Sequence, residues 1–315
     1  MSTTESRKTV LVAAAANLLL AVAKGAAGVI GGSAALLAEA AHSVADTTDQ
    51  GLLLLSLRLG ERPPDEAHPF GYGKQRFFWS FLAAVFIFVS GGLFSIGQGV
   101  LEIVNGENAG TFVLSYVVLA VAALAEGTSW FRALRQLRNE ARDAGVSFRR
   151  YARESKDPAV RTVLLEDTGA LVGVALAALG IGMHQLTGRS WWDGAASIAI
   201  GLLLCYLGVG LGRYTQGLLL GEAATPDDRR KLRAVMEGHD EVVDVKEVLT
   251  MVLGPENLLV AARLDIADGI PSERVEALAA EIDREMRRAV PSVSEVFLDP
   301  TSHHGGEGTA ELRAG

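Results

Sequence analysis

The sequence predicts a polytopic α-helical membrane protein, six transmembrane helices followed by a small α+β domain, and three observations carry that expectation. Of its 315 residues 49% are hydrophobic, and the mean hydropathy of +0.26 is high for a water-soluble chain. The apolar residues gather into six blocks: Val10–Ile30, Ala34–Leu59, Phe77–Val104, Thr111–Phe131, Val163–Leu186 and Ala195–Leu220. Each is about the 20 residues that a helix needs to cross a hydrocarbon core. After Gly221 the chain turns polar and its periodicity shortens, so a different kind of domain begins there.

The first block follows Arg7 and Lys8, is too long for a signal core and ends without a small-residue cleavage site. It is therefore expected to remain as a helix. The fourth block runs on into Arg132, Arg135, Arg138 and Arg142 at helical spacing, so its helix is expected to leave the membrane and to break at Gly145. Asp157-Pro158 then reads as an N-cap with proline at the first helical position, opening the fifth helix. Gly28/Gly32, Gly169/Gly173, Gly208/Gly212 and Gly217/Gly221 have the small-xxx-small spacing that lets membrane helices approach closely.

Beyond the sixth block, Thr225-Pro226 opens a helix over Asp227–Glu237. Val242–Leu253 and Leu258–Ile266 read as a hairpin across Gly254-Pro255-Glu256-Asn257. Pro271-Ser272 starts an amphipathic helix reaching Val290, and Val293–Leu298 is a last short strand. The order αββαβ suits a small two-layer domain. The expected organisation is a transmembrane domain over 8–221, a cytoplasmic domain over 222–300 and a disordered tail over 301–315, in which His303 and His304 form a weak metal-binding pair.

Loop charges set the expected topology. The connection Gly31–Ser33 has no Lys or Arg; Gly60–Arg76 has Arg62, Lys74 and Arg76; Asn105–Gly110 has none; Arg132–Arg161 has nine; the fifth has only Arg189. Basic and neutral loops alternate, which places both termini in the cytoplasm. The same alternation accounts for the basic residues without nucleic acid. The net charge of -8 is concentrated in the C-terminal part, and the single cysteine, Cys205, excludes a disulfide or a thiolate metal cluster within the chain.

Ionisable side chains inside a bilayer are costly and mark pathways. The second block carries His42 and Asp46 at i and i+4, on one helix face, with Glu39 three residues before and Asp49 three after as accessory acids. An imidazole and a carboxylate at that spacing can hold a divalent cation between them, and zinc accepts such N and O donors in a tetrahedron. A second helix has to complete the set. The fifth block offers Glu166 and Asp167, about 100° apart around a helix, so one of the two is expected to face His42 and Asp46. Lys24 and Asn17 of the first block support packing or tune the site. Protons and metal compete for the same donors, and an unperturbed histidine titrates at about 6.5, so metal/proton exchange follows from the chemistry. A second cluster, Asp65 and His68, lies in the loop after the second block, where a cation site and a Gly- and Pro-shaped turn are equally good readings.

These residues resemble the cation diffusion facilitators over nearly the whole chain. The resemblance is carried by Ser33-Ala-Ala-Leu-Leu-Ala-Glu-Ala-Ala-His-Ser-Val-Ala-Asp46 and by Asp65-x-x-His68-Pro-Phe-Gly-Tyr-Gly-Lys74. Ala41-His42-Ser43, the loop ending Glu154-Ser-Lys-Asp-Pro158, and Leu164-Leu165-Glu166-Asp167-Thr168 are similar to the branch that contains zinc transporter nine. The resemblance implies homodimeric, proton-coupled exporters of zinc and related metals, with six helices, cytoplasmic termini and a C-terminal ferredoxin-like domain. It places the transport site at His42 and Asp46, with Asp167 as the acid of the fifth helix. The family's histidine there is Val163 in this chain, and Glu166 is its substitute or neighbour. Tyr72 stands for a loop histidine beside Asp65 and His68, which weakens that site. In the C-terminal domain Lys246, Arg263 and Phe297 stand where metal-binding histidines are expected and Asp299 remains, so this domain is expected to dimerise by packing alone.

The expected protein is thus a metal/proton antiporter moving a divalent cation, zinc first, out of the cytoplasm by alternating access. Its cation is a substrate, with no prosthetic group. Manganese, iron or cobalt fit a site of one imidazole and oxygen donors nearly as well, and an organic-cation/proton antiporter is the rival outside metals. No nucleophile or substrate motif points to an enzyme. The short N-terminus without a transit signal favours a bacterial inner membrane.

Overall fold

A computed structural model describes residues 3–106, 112–154 and 158–302, without the side chains of 3–13, 16, 153, 154, 158–165 and 302. The Asp157 cap, the 107–111 connection, and the tail with His303 and His304 lie outside the described residues. The chain runs α1 (Thr3–Gly31), α2 (Ala34–Gly60), α3 (Gln75–Phe86), a π-helical segment (Ile87–Leu93), α4 (Phe94–Asn105), α5 (Phe112–Asp143), α6 (Phe148–Glu154), α7 (Pro158–Thr187) and α8 (Trp191–Leu220). There follow α9 (Pro226–Glu237), β1 (Val242–Gly254), β2 (Asn257–Ile266), α10 (Ser272–Ala289) and β3 (Val293–Ser302).

Among the described residues four helices are long and apolar enough to cross a membrane: Gln75–Asn105, Phe112–Asp143, Glu166–Thr187 and Trp191–Leu220. The first of them unites α3, the π-helical segment and α4 in one rod. In α1 the apolar stretch is the shorter Asn17–Gly31. In α2 the apolar run is broken by Glu39, His42, Asp46 and Asp49, a polar face that has to turn inward from lipid. As the arginine spacing predicts, α5 continues to Asp143; Gly145 takes φ +67°, and the Val146 amide donates to the Ala141 carbonyl to close the end.

The chain divides into two compact units, Met1–Arg62 with Gln75–Gln216, and Pro63–Lys74 with Gly217–Gly315. The core of the first is rich in alanine: Ala27, Ala38, Ala84, Ala122, Ala177 and Ala196 are all buried in one cluster from α1, α2, α3, α5, α7 and α8. Lipid tails are as apolar as a side chain, so helices here associate by close packing rather than by escape from water. The closest approach is between α8 and the Gln75–Asn105 rod. A Cβ at Gly99 would lie 2.5 Å from the Gly194 carbonyl oxygen, one at Gly201 would lie 2.7 Å from that of Gly92, and one at Gly208 would lie 3.0 Å from that of Ala84. Ser197 Oγ donates to the Ser95 carbonyl across the same seam, at 2.8 Å.

Helices α1 and α2 join through Gly32 at φ +57° and Ser33. Ser33 caps α2, its hydroxyl accepting from the Leu36 amide at 3.2 Å. Asp193 of α8, fully buried, completes the cap: its carboxylate accepts from Ser33 Oγ at 2.9 Å and from the Ala35 amide at 3.2 Å. A carboxylate at a helix N-terminus meets free amides and the positive end of the dipole. Asp193→Ala is therefore expected to cost about 1–3 kcal/mol, read as a lower melting temperature of the detergent-solubilised protein; Asp193→Asn is expected to recover part of it.

In the second unit β1 and β2 form an antiparallel hairpin with Thr250 opposite Val260 and Gly254 opposite Asn257. Helix α10 then crosses over so that β3 runs parallel to β2, in sheet order β1-β2-β3. The hairpin and both helices stand where the sequence places them; the last strand starts at Val293 as expected but runs past Leu298 to Ser302, because Thr301 and Ser302, expected in the disordered tail, pair with Asp265 and Ile266 of β2. Leu278, Ile282 and Met286, spaced four apart on α10, and Leu232 and Met236 on α9 are buried with Val245, Val260 and Leu264 of the sheet. Segment 63–74 belongs to this unit: a Cβ at Gly73 would lie 2.5 Å from the Leu253 carbonyl oxygen, and the Phe70 and Phe297 rings meet edge-on at 6.3 Å.

Candidate cation site

The inward face of α2 meets α7 where α7 has no side chains. The His42 ring lies 3.9 Å (Cε1) from the Cβ position of Gly169 and 3.7 Å (Nδ1) from that of Gly173, and a Cβ at Gly173 would overlap Glu39 Oε1. Gly173 thus makes room for the Glu39 carboxylate with the imidazole in ordinary contact, while the space at Gly169 is taken by Leu207 Cδ1, 2.6 Å from its Cβ position. His42 is 2% exposed. Its Nε2 stands 3.4 Å from Asp46 Oδ1.

Around this pair the polar atoms are unusually unsatisfied. Among the described residues, Glu39 Oε1, His42 Nδ1, Asp46 Oδ1, Gln50 Oε1, Glu126 Oε2 and Glu166 Oε1 are buried without a hydrogen-bond partner. Buried polar atoms left unpaired cost about 1–3 kcal/mol each, so such a concentration marks a place built for something other than its own stability. Asp49 and Glu166 are close enough to interact with each other, and both lie within electrostatic reach of Asp46. Asp167 is within reach of Asp46 and of Glu126. Both acids of α7 therefore lie in the electrostatic neighbourhood of Asp46, Glu166 also near Asp49 and Asp167 also near Glu126. No three of these groups converge closely enough, among the described residues, to enclose an ion as they stand.

Lys24 of α1 is 1% exposed and lies on the other side of Glu39. Its ammonium donates to Glu39 Oε2 at 2.9 Å, to Ser43 Oγ at 3.0 Å and to Glu126 Oε1 at 2.6 Å. Sequence reasoning missed Glu126, an acid inside the fourth apolar block, and Asp193 at the head of the sixth; in both cases the signal was a lone charge in apolar sequence. It also missed Gln50, one residue beyond Asp49.

The loop pair is built differently. Asp65 Oδ1 accepts from the amides of Ala67 (3.1 Å) and His68 (2.8 Å), and Oδ2 accepts from the Tyr72 hydroxyl at 2.7 Å. His68 Nδ1 is 3.5 Å from Asp65 Oδ1, with both side chains half exposed. The Tyr72 hydroxyl, with the His68 amide, holds the Asp65 carboxyl below the usual carboxylate range. A lowered value means that these bonds are complete above about pH 4 and are lost as pH falls through the lowered value. The His68 amide resonance is expected to titrate with a midpoint below that of an ordinary aspartate; a midpoint at or above it contradicts the bonding.

In the C-terminal domain Arg263 sits beside Asp299 on neighbouring strands, with Nε 2.8 Å from Oδ2. Lys246 pairs with Asp244 at 3.0 Å and Asp265 at 3.2 Å.

Residues 10–220 match the model of the cation efflux transmembrane domain. The chain belongs to the cation efflux, or cation diffusion facilitator, family. The chain is 33% identical over 258 residues to the mitochondrial proton-coupled zinc antiporter SLC30A9 of Homo sapiens, covering 82% of this chain and 45% of that protein. It is 32% identical over 230 residues to metal tolerance protein C4 of Arabidopsis thaliana, covering 73% and 50%. It is 25% identical over 307 residues to the manganese efflux system protein MneP of Bacillus subtilis (strain 168), covering 93% and 95%. The chain thus spans about half the length of the first two of these cation efflux relatives. The match over 10–220 takes in α2 and α7, so the polar face described above lies inside the family's transmembrane domain.

Proposed function

We propose that this protein is a homodimeric secondary transporter that exchanges a cytoplasmic divalent cation, zinc in the first place, for protons, and that the ion binds between α2 and α7. The observation that carries the reading is the His42–Asp46 pair. Zinc bonds of about 2.0–2.1 Å in a tetrahedron give ligand-to-ligand edges of about 3.3–3.4 Å, and Nε2 and Oδ1 stand 3.4 Å apart. Asp167 or Glu166 completes the set by moving toward this edge, a role that their electrostatic proximity to Asp46 supports. The cation is cargo rather than a prosthetic group, and nothing in the site asks for an enzyme's nucleophile.

Proton coupling follows from the same atoms. A metal needs neutral imidazole and ionised carboxylates, so its arrival has to displace whatever protons these donors carry. The named antiport of SLC30A9 supports this exchange. Manganese is the second reading: all the donors except His42 are oxygens, which suits harder cations, and a manganese efflux protein is among the relatives. In this reading α1 and α2 join the four apolar helices as membrane spans, with both termini in the cytoplasm of a bacterial inner membrane. The αββαβ unit is the ferredoxin-like dimerisation domain. Its exposed apolar side chains Val243, Leu249, Met251 and Phe297 offer a packing surface, while Arg263 occupies Asp299 in place of a metal. The loop residues Asp65 and His68 take a turn-forming role.

The reading is tested by titrating zinc into the purified protein in weak buffer while recording pH. Proton release that saturates with binding, and that vanishes in His42→Ala/Asp46→Ala, is expected. Zinc binding without proton release, or release that survives the double substitution, contradicts it.

A further inference from the structure

Beside the cation site lies a second buried constellation that the exchange reading does not use. Lys24 on α1, Glu39 and Ser43 on α2, and Glu126 on α5 form one network, with the ammonium and the Glu39 carboxylate almost wholly enclosed. Holding helices together is a weak reason for such a group, because a buried ion pair is often no more stabilising than apolar residues of the same volume. The lysine has three N–H donors, and Glu39, Ser43 and Glu126 take all three. It is a cation site filled by the chain's own ammonium.

What that ammonium withholds is visible on the α7 side. Glu39 Oε1 and His42 Nδ1 both reach the space in front of Gly173, both are buried, and neither has a hydrogen-bond partner. They are two unpaired donor atoms beside the same glycine, one of them on the ring whose Nε2 forms the His42–Asp46 edge. Glu126 Oε2 is likewise buried and free. With one positive charge set against two carboxylates, Lys24 cancels half of their charge and ties up one oxygen of each, Glu39 Oε2 and Glu126 Oε1. Without it, the imidazole would gain oxygen donors, and an oxygen-rich set favours hard cations over zinc.

We propose that Lys24 is a tethered counter-cation that keeps Glu39 and Glu126 out of the transported ion's donor set and thereby sets the site's selectivity for zinc against manganese. The inference rests on the reading of His42 and Asp46 as the ion's donors. A lysine suits the task, since its compact charge on a flexible stem binds carboxylates without the planar fork of arginine.

The experiment is calorimetric titration of zinc and, separately, manganese into the full-length protein in detergent. Lys24→Met is expected to raise manganese affinity on the order of tenfold and to lower the zinc-to-manganese affinity ratio by at least about fivefold, the scale on which neighbours of a metal ligand act. Lys24→Arg keeps the ratio of the unmodified protein, and Lys24→Met/Glu39→Gln returns to it. Two buried carboxylates without their lysine strain the fold, so Lys24→Met/Glu126→Gln, which leaves Glu39 alone, is measured beside it and is expected to show the same fall. An unmodified ratio in either lysine-free protein that retains Glu39, or a fall that Glu39→Gln does not reverse, overturns the proposal. Zinc affinity that survives His42→Ala instead overturns the cation-site reading itself, so the two failures are distinct.

Discussion

His42→Ala is expected to reduce zinc affinity by about a hundredfold or more, since even the residues that merely orient a ligand are worth about 10–100-fold. The ring is buried, it lies in contact with the backbone side of Gly169 and Gly173, and its Nε2 supplies one end of the 3.4 Å edge with Asp46. Its Nδ1 makes no hydrogen bond in the metal-free fold, so the loss of zinc affinity is expected to exceed the loss of metal-free stability. Affinity and stability therefore separate. Zinc at about 100 times its dissociation constant stabilises a protein by about 2.7 kcal/mol. The unmodified protein is expected to gain melting temperature with zinc, while His42→Ala melts near the metal-free value with or without it. A large loss of metal-free stability in His42→Ala would make the histidine a packing residue instead.

The second large effect is structural. Gly99→Val is expected to cost about 3 kcal/mol, at the upper end for overpacking, or to prevent assembly of the transmembrane unit. The new side chain meets backbone: the Gly194 carbonyl oxygen lies 2.5 Å from the Cβ position and the Ile198 amide nitrogen 2.9 Å. A side chain can turn aside, but a helix backbone can only move as a whole. Gly97→Val provides the control on the same helix, because nothing lies within 4 Å of that Cβ position. It is expected to melt within about 1 kcal/mol of the unmodified protein. Equal effects at Gly97 and Gly99 would refute the close packing of α8 on this helix.

The same glycines show where sequence reading reached its limit. Small residues four apart are the familiar sign of close helix contact, and Gly169/Gly173 does lie against α2. The tightest seam, however, joins Gly92 and Gly99 to Gly194, Gly201 and Gly208, which recur every seven residues. A four-residue spacing picks out only part of it, and nothing in one chain says which helix faces which. The cation face was legible for a different reason. A charge in apolar sequence has no benign explanation in lipid, so His42, Asp46 and the acids of α7 stood out before any helix was placed. Their neighbours were harder to assign. Lys24 was visible as a charge, but its pairing with Glu126, 102 residues away, depends on the packing of α1 against α5. The same holds for Asp193, whose partners on α2 lie 158 and 160 residues away. In the C-terminal unit, local signals sufficed. Thr225-Pro226 caps α9, and Pro255-Glu256 turns the hairpin.

The central claim, divalent-cation exchange for protons at the α2–α7 site, is tested most directly by flux. Protein reconstituted into liposomes with an acidic interior and a zinc-sensitive dye inside should take up zinc as protons leave. Uptake should collapse when a protonophore dissipates the gradient, and His42→Ala/Asp46→Ala should abolish it. Zinc uptake that is indifferent to the pH gradient, or that persists in the double variant, would contradict the account.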